Sequence, residues 1–123
     1  MNVLGVHLLL ELRQCNPALL NDIDHIRKAM VEAAASVGAH VVGESFHRFN
    51  PQGVTGILAI AESHISIHTW PEYGYAAVDV FTCGESFAPR EVAQLLIDKF
   101  QAKGPSITEL QRGLIHTLVN VTS

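Results

Sequence analysis

The sequence predicts an α+β fold, a two-layer sandwich in which two helices cover one face of a mostly antiparallel sheet. Two amphipathic segments with helical spacing lie far apart in the chain, and short strand-like runs separated by brief turns lie between them. Consecutive strands with short connections favour antiparallel pairing. The length of 123 residues and the hydrophobic content of 48% fit one compact domain over residues 1–123.

The first element is a strand predicted over residues 3–12. This run is mostly apolar, but His7 and Glu11 interrupt it and no basic segment precedes it. A signal peptide has such a basic segment, and a membrane span needs about 20 predominantly apolar residues. We therefore interpret the run as a buried strand and expect no association with a membrane.

Two helices are predicted, over residues 17–37 and 89–103. An Asn-Pro pair opens the first, since the Asn side chain accepts a backbone N–H and Pro fits the first turn. In both segments apolar residues recur every three or four positions, which buries one face: Leu19, Ile23, Ile26, Met30, Ala33 and Val37, then Val92, Leu95, Leu96 and Phe100. Gly38 and Gly104 are expected to end the helices.

Five further strands complete the predicted sheet, and Asn, Pro and Gly residues mark the turns between them. They are expected over residues 39–49, 55–61, 64–69, 76–82 and 107–112. With both helices on one side, the other face of the sheet has no cover within the chain. Pairing such faces is a common remedy, so we expect a homodimer.

Composition argues against several classes of partner. The formal net charge of -4, with only eight Lys plus Arg, leaves no basic stripe for nucleic acid or anionic membranes, while a cationic small molecule is compatible with it. The chain has seven His but only two Cys, and only His64 and His68 have the HxxxH spacing, so no metal site is predicted. Cys15 and Cys83 are too few for a disulfide framework, which favours the reducing cytoplasm.

The chemically versatile residues are concentrated in residues 62–84, ESHISIHTWPEYGYAAVDVFTCG. Hydroxyl, imidazole, aromatic, carboxylate and thiol groups crowd into this strand-turn-strand hairpin, which is more polar than an ordinary half-buried strand. The run resembles the signature of prokaryotic S-adenosylmethionine decarboxylase proenzymes. Further matches to that family lie at residues 46–49, 51–54 and 107–114, so the resemblance extends over most of the chain.

Decarboxylation of an α-amino acid leaves a carbanion, and enzymes stabilise it with a carbonyl cofactor that accepts the electrons through a Schiff base. Pyridoxal phosphate would need a phosphate-binding Gly-rich loop, which the sequence lacks, and a Lys, of which all three lie on predicted helices. The resemblance implies instead a pyruvoyl group made from Ser63. In that family pattern Ser63 Oγ attacks the Glu62 carbonyl, and loss of the Ser63 α-proton frees residues 1–62 (the β chain) from residues 63–123 (the α chain).

The resemblance assigns His68 as the base for this cut, and a neutral imidazole with a pKa of about 6.5 suits that role at neutral pH. Residues 63 and 68 have opposite parity, however, and point to opposite faces of a regular strand. We therefore predict a turn or bulge near Ser63. Strain of about 1–3 kcal/mol at the Glu62-Ser63 peptide would favour the shift from peptide to ester.

The remaining site residues also follow from the resemblance. Cys83 is the expected proton donor to the substrate carbon, since a thiol with a reference pKa of about 8.5 is protonated yet labile at neutral pH. Thr55 stands where the family pattern has Ser, and its hydroxyl is expected to support processing. The residues expected to bind substrate are Phe49 and Trp70, which would stack on adenine, and Glu72, which would accept hydrogen bonds from ribose.

Taken one at a time, these residues have ordinary explanations. A lone Ser63 is a strand-edge hydroxyl, a lone His68 a core histidine and a lone Cys83 a small buried hydrophobe; Tyr73 and Tyr75 are expected to be core or interface aromatics. Taken together, they predict a pyruvoyl-dependent S-adenosylmethionine decarboxylase that supplies the aminopropyl donor for spermidine. Two alternatives stay open: an arginine decarboxylase of the same family, and a relative that binds a nucleoside without cutting itself.

Overall fold

The computed structural model describes residues 2–83 and 87–118, and within them a six-stranded antiparallel sheet carries the predicted helices. The strands are β1 (Val3–Arg13), β2 (Val41–Arg48), β3 (Val54–Ile60), β4 (Ser63–Trp70), β5 (Tyr75–Cys83) and β6 (Gly104–Leu114). The helices are α1 (Pro17–Leu20), α2 (Ile23–Ser36), α3 (Pro89–Lys99) and α4 (Ile115–Leu118), with a 3-10 turn at Pro71–Tyr73. None of the helices in the described ranges is long and apolar enough to cross a membrane.

The strands lie in the order β2-β3-β4-β5-β1-β6, and each neighbouring pair is antiparallel. The first strand of the chain therefore lies between β5 and β6, which come much later in the sequence. All six predicted strands are present, with β6 extended at both ends of the predicted range. The α+β fold class predicted from the sequence is confirmed.

The core lies between the sheet and the two longer helices, α2 and α3. Alternate residues of each inner strand point toward these helices and are fully buried, as period-two alternation requires. The largest buried side chains come from both layers: Leu8, Leu10, Leu12, Leu58, Ile65 and Ile67 from the sheet, and Ile26, Met30, Leu96 and Phe100 from the helical layer. Both longer helices pack on one face, as predicted, and the opposite side of the sheet is called the open face below.

The prediction of one helix over residues 17–37 is wrong, because the chain breaks between α1 and α2. Asp22 caps the second segment, its side chain accepting a hydrogen bond from the His25 backbone N–H at 3.1 Å. The preceding Asn21 side chain accepts from the backbone N–H of Gly53 at 3.0 Å. Side chains of Asn and Asp compete for backbone groups and favour caps over helix interiors, and this pair separates two helices.

The second predicted helix, over residues 89–103, ends four residues earlier than expected. The last helical residue is Lys99, and Phe100 follows as the C-cap with its ring fully buried in the core. Gln101 then takes a left-handed conformation with φ of 55°, the role expected for a terminating glycine. Gly104 instead begins β6, where the proline after it is tolerated because β6 is an edge strand.

A packing contact in the sheet gives a first prediction. Gly56 of β3 lies opposite Phe46 of β2, and a Cβ on Gly56 would lie 2.4 Å from Cδ1 of that ring, whereas a Cβ on Gly43 would meet only Ala59 Cβ at 3.9 Å. We expect Gly56→Ala to lower the free energy of unfolding by about 1–3 kcal/mol through overpacking. Gly43→Ala is the matched control, and equal urea-unfolding midpoints for the two variants would contradict the prediction.

Candidate active site

Most of the predicted site residues lie on the open face. In β4 the residues that alternate with His68 and Trp70 are buried against the helices, namely Ile65, Ile67 and Thr69. His68 and Trp70 therefore point away from the core. Thr55 and Cys83 belong to the same open face by strand parity, because Thr55 pairs with His68 and the buried Thr82 precedes Cys83.

A shallow groove collects five of the predicted residues at one end of this face. Its cavity has a volume of about 230 Å³. The lining includes Phe49, Thr55, His68, Trp70 and Glu72. We call this cavity the ligand groove. Aromatic, imidazole, hydroxyl and carboxylate groups thus meet in one place, a composition typical of small-molecule sites with a few placed polar groups.

Thr55 and His68 are in direct contact within the ligand groove. They are cross-strand partners in β3 and β4, and the distance from Thr55 Oγ1 to His68 Nδ1 is 3.1 Å. When this hydroxyl accepts from Nδ1–H, the Nε2 lone pair of the imidazole is available as a base. The hydroxyl of Thr55 therefore suffices to orient His68.

Ser63 and Cys83 lie together at the opposite end of the same strands. The backbone N–H of Cys83 donates to Ser63 Oγ at 3.3 Å, and Ser63 pairs with Thr82 across β4 and β5. Immediately before Ser63, Glu62 has a left-handed conformation with φ of 65°. A conformation of this kind costs an L-residue about 1–2 kcal/mol, so the peptide at this position carries local strain.

The predicted turn near Ser63 is present, but β4 itself contains no bulge. The hairpin turns at residues 61–62, and pairing on both sides of β4 runs without a register shift from Ser63 to Trp70. Five residues at about 3.3 Å each place His68 about 16 Å along the strand from Ser63. Within a single chain, the predicted base His68 and the predicted nucleophile Ser63 are therefore not in contact.

A hydrogen-bonded chain in the middle of the open face did not emerge from the sequence. Arg112 Nη1 lies 3.2 Å from His7 Nδ1, and His7 Nε2 lies 3.1 Å from Asp79 Oδ1. Because guanidinium only donates, Nδ1 accepts and Nε2–H donates to Asp79, which also accepts from Ser66 Oγ at 3.2 Å. The only sequence signal for this chain was the polar interruption of the first strand at His7.

Cys15 is buried and Tyr73 is exposed, so neither lies with the groups described above. Burial raises the pKa of the Cys15 thiol to about 11, so this cysteine stays protonated and packs within the core. Tyr73 is 78% exposed and is not a core residue, contrary to one of the two readings for it. Within the described parts of the chain, no group of three or more His, Cys, Asp or Glu is placed to hold a metal ion.

Comparison with known proteins gives consistent matches. The sequence profile described as S-adenosylmethionine decarboxylase matches residues 6–113. The S-adenosylmethionine decarboxylase proenzyme of Thermodesulfovibrio yellowstonii is 52% identical over 115 residues, covering 94% of this chain and 85% of that protein. The S-adenosylmethionine decarboxylase proenzyme of Acetivibrio thermocellus is 50% identical over 123 residues, covering 100% of this chain and 99% of that protein. The crystal structure of the adenosylmethionine decarboxylase from Aquifex aeolicus has a TM-score of 0.87 and 30% identity, covering 94% of this chain and 95% of that one.

Proposed function

The chain belongs to the S-adenosylmethionine decarboxylase family, and we propose that it is the precursor of a pyruvoyl-dependent enzyme that decarboxylates S-adenosylmethionine. The product would be the aminopropyl donor for spermidine synthesis in the cytoplasm. One observation carries the proposal: the Ser63 hydroxyl is held by the Cys83 backbone next to the left-handed Glu62. A nucleophile, a strained peptide and a thiol-bearing residue thus adjoin.

The geometry supports self-cutting at the Glu62-Ser63 peptide. Ser63 Oγ already accepts the Cys83 N–H, so its own proton is available to a base when the oxygen attacks the Glu62 carbonyl. The C–N bond is then replaced by an ester, and removal of the Ser63 α-proton expels residues 1–62 as a carboxylate. The dehydroalanine left at position 63 takes up water and releases its nitrogen as ammonia, which gives the pyruvoyl carbonyl. Release of the left-handed strain at Glu62 favours this direction.

The residues around Ser63 fit a pyruvoyl group at that position. Such a group supplies a carbonyl that withdraws electrons from the substrate as CO₂ leaves. Cys83 ends the strand beside Ser63, and this proximity supports a role for its thiol as the holder of the proton for the substrate carbon. In the ligand groove, Phe49 and Trp70 offer ring faces and Glu72 a carboxylate, which suit adenine and ribose hydroxyls respectively.

We further propose that the enzyme is a homodimer paired through the open faces. A volume of about 230 Å³ is small beside the roughly 300–1,000 Å³ of typical ligand pockets. The same face leaves large apolar side chains in water, with Phe49 48%, Ile57 45% and Leu110 43% exposed. Exposed apolar patches of this kind mark interaction sites.

Pairing of the open faces would also complete the site. A two-fold axis that lies between two stacked sheets and runs across the strands exchanges the two ends of β4. The ligand groove of the second copy, with its His68, then lies over the end of β4 and β5 in the first copy where Ser63 begins β4 and the open-face residue Cys83 ends β5, and the reverse holds by symmetry. The distance of about 16 Å along β4 no longer separates base from nucleophile.

Co-expression of two inactive variants tests this arrangement. Ser63→Ala lacks the nucleophile and His68→Ala lacks the base, so neither is expected to cut when expressed alone. Expressed together in equal amounts, about half of the His68→Ala chains should be cut, because random pairing puts half of all chains in mixed dimers. Intact-protein mass spectrometry counts the cut chains.

The control replaces Ser63→Ala by the double variant Ser63→Ala/His68→Ala, which has no base to contribute and should rescue nothing. An absence of cutting in the first mixture, with mixed dimers present, would show that His68 acts on its own chain or not at all. Sedimentation of the processed wild type checks the dimer itself, and a fully active monomer at assay concentration contradicts it.

The substrate is tested by release of labelled CO₂ from S-adenosylmethionine, with arginine as the comparison substrate. The purified, fully cut enzyme should release CO₂ from the first and not from the second. Release of CO₂ from arginine alone would agree with the proposed pyruvoyl cofactor and would show that the substrate is arginine. Binding of adenosine by a chain that is never cut and releases no CO₂ would instead favour a non-catalytic relative.

A further inference from the structure

Trp70 forms one wall of the ligand groove, and one face of its indole is already occupied. The ring stacks on Tyr75 with centroids 5.4 Å apart and planes inclined by 28°. The two residues are cross-strand partners at the ends of β4 and β5, on either side of the short turn that joins them. Trp70 is still 41% exposed, so the part of the indole that Tyr75 leaves uncovered is available to the groove.

Tyr75 is held in turn by a residue of the next strand. Its hydroxyl donates a hydrogen bond to Glu11 Oε2 in β1. Burial, together with this hydrogen bond and the charge of Glu11, raises the pKa of Tyr75 to about 12. The phenol therefore remains a donor at neutral pH. Glu11 of β1 thus holds Tyr75 of β5 by a hydrogen bond, and Tyr75 holds Trp70 of β4 by ring stacking.

We propose that Tyr75 and Glu11 are a positioning pair that fixes the indole of Trp70 as a preformed stacking surface for a planar aromatic ring. The inference rests on the proposed function, which takes that ring to be the adenine of the substrate. Neither Tyr75 nor Glu11 lines the groove, so both act through Trp70 and are not catalytic residues.

The packing explains why such a pair is needed. Trp70 is on the solvent side of a strand end, away from the close-packed core, and two rotatable side-chain bonds would otherwise leave its ring mobile. A ligand that stacks on a mobile ring must first immobilise it, which weakens binding by about three- to tenfold for one side chain. A ring held beforehand by Tyr75 removes that cost, as preorganisation does in general.

The test uses the spectroscopy of Trp70, which is the single Trp of the chain. Acrylamide quenching and fluorescence anisotropy of the cut dimer report the freedom of this indole without any substrate. Tyr75→Leu removes the stacked ring, Tyr75→Phe keeps the ring and removes the hydroxyl, and Glu11→Leu removes the acceptor of the hydroxyl's hydrogen bond. We expect stronger quenching and lower anisotropy in Tyr75→Leu, and a smaller change in Tyr75→Phe.

Kinetics separate positioning from general damage. Tyr75→Leu should raise KM by about three- to tenfold with kcat within about twofold of the wild type. Glu11→Leu should shift fluorescence and KM in the same direction by a smaller factor, as Tyr75→Phe does. Cutting into the two fragments and the circular-dichroism spectrum verify that each variant is folded. If Tyr75→Leu fails to fold, Tyr75→Phe carries the test through the same two readouts, each shifted in the same direction by a smaller factor.

The outcomes distinguish this inference from the proposed function. Unchanged quenching in Tyr75→Leu overturns the positioning pair, whatever the substrate proves to be. Altered quenching with an unchanged KM overturns it as well, because the ordered indole would then contribute nothing to binding. If the wild type releases no CO₂ from S-adenosylmethionine, the proposed function fails, and quenching of Trp70 by added adenosine in wild type and Tyr75→Leu still decides the inference.

Discussion

A Ser63→Ala variant should be isolated as a folded, full-length chain that neither cuts itself nor releases CO₂ from S-adenosylmethionine. The hydroxyl is the only group of Ser63 that can attack the Glu62 carbonyl, and the pyruvoyl carbonyl is made from the same residue. Loss of both activities should be complete, because the pyruvoyl group can form only after the cut that this hydroxyl begins. Intact-mass measurement should find residues 1–62 and 63–123 in the wild type and the uncut chain in the variant.

Ser66→Ala is the matched control for this experiment. Ser66 lies in the same strand and its hydroxyl also makes one hydrogen bond, to Asp79 Oδ2, but it is remote from the Glu62-Ser63 peptide. It should be cut normally. A wild-type protein that stays full length while it releases CO₂ from the substrate would show that the pyruvoyl mechanism is wrong.

A Cys83→Ala variant should still be cut, while its turnover falls by about 10² to 10⁴, the usual contribution of a placed general acid. The contact between Cys83 and Ser63 Oγ is made by the backbone N–H, which alanine retains. The thiol is lost, and with it the proton for the substrate carbon after CO₂ leaves. Single-turnover kinetics and intact mass measure the two activities separately.

A specific side product should accompany the loss in Cys83→Ala. Without a placed donor, the proton can be added at position 63 instead of the substrate carbon, and hydrolysis then leaves alanine there. The mass of the 63–123 fragment should change with each such event, and only when substrate is present. Cys15→Ala is the control, since that thiol is buried with a pKa raised to about 11 and should not affect turnover. Near-normal turnover of Cys83→Ala with an unmodified fragment would make Cys83 a packing residue.

The sequence was sufficient for features that depend on local pattern. Apolar and β-rich runs bounded by Asn, Pro and Gly turns located each strand, and helical spacing located the buried faces of α2 and α3. It was insufficient where a distant contact decides the outcome. Asn21 leaves the first helix because its side chain meets the Gly53 backbone, and α3 ends early because the ring of Phe100 enters the core.

The candidate site was predictable to a similar extent. The motif in residues 62–84 supplied the chemical groups. The opposite parity of residues 63 and 68 led us to predict a turn or bulge near Ser63, but the turn at residues 61–62 leaves β4 regular from Ser63 to Trp70. The sequence did not reveal that the predicted site residues divide between the two ends of the same strands, because that division depends on which strands are neighbours. In the sequence, Glu11 was recognised only as an interruption of an apolar run. Its hydrogen bond with Tyr75 could not be predicted, because it depends on β1 and β5 being neighbours.

The position of β1 between β5 and β6 determines what a cut at Glu62-Ser63 would do to the protein as a whole. Residues 1–62 contain β1, β2 and β3, and residues 63–118 contain β4, β5 and β6. Three of the five strand boundaries, β3-β4, β5-β1 and β1-β6, then join one fragment to the other. Strands of the two fragments alternate in the sheet, so neither fragment can dissociate unless the hydrogen bonds of those three strand pairs are broken. Breaking the peptide bond would convert one chain into two permanent subunits, and the complete sheet has to be assembled before that bond is broken.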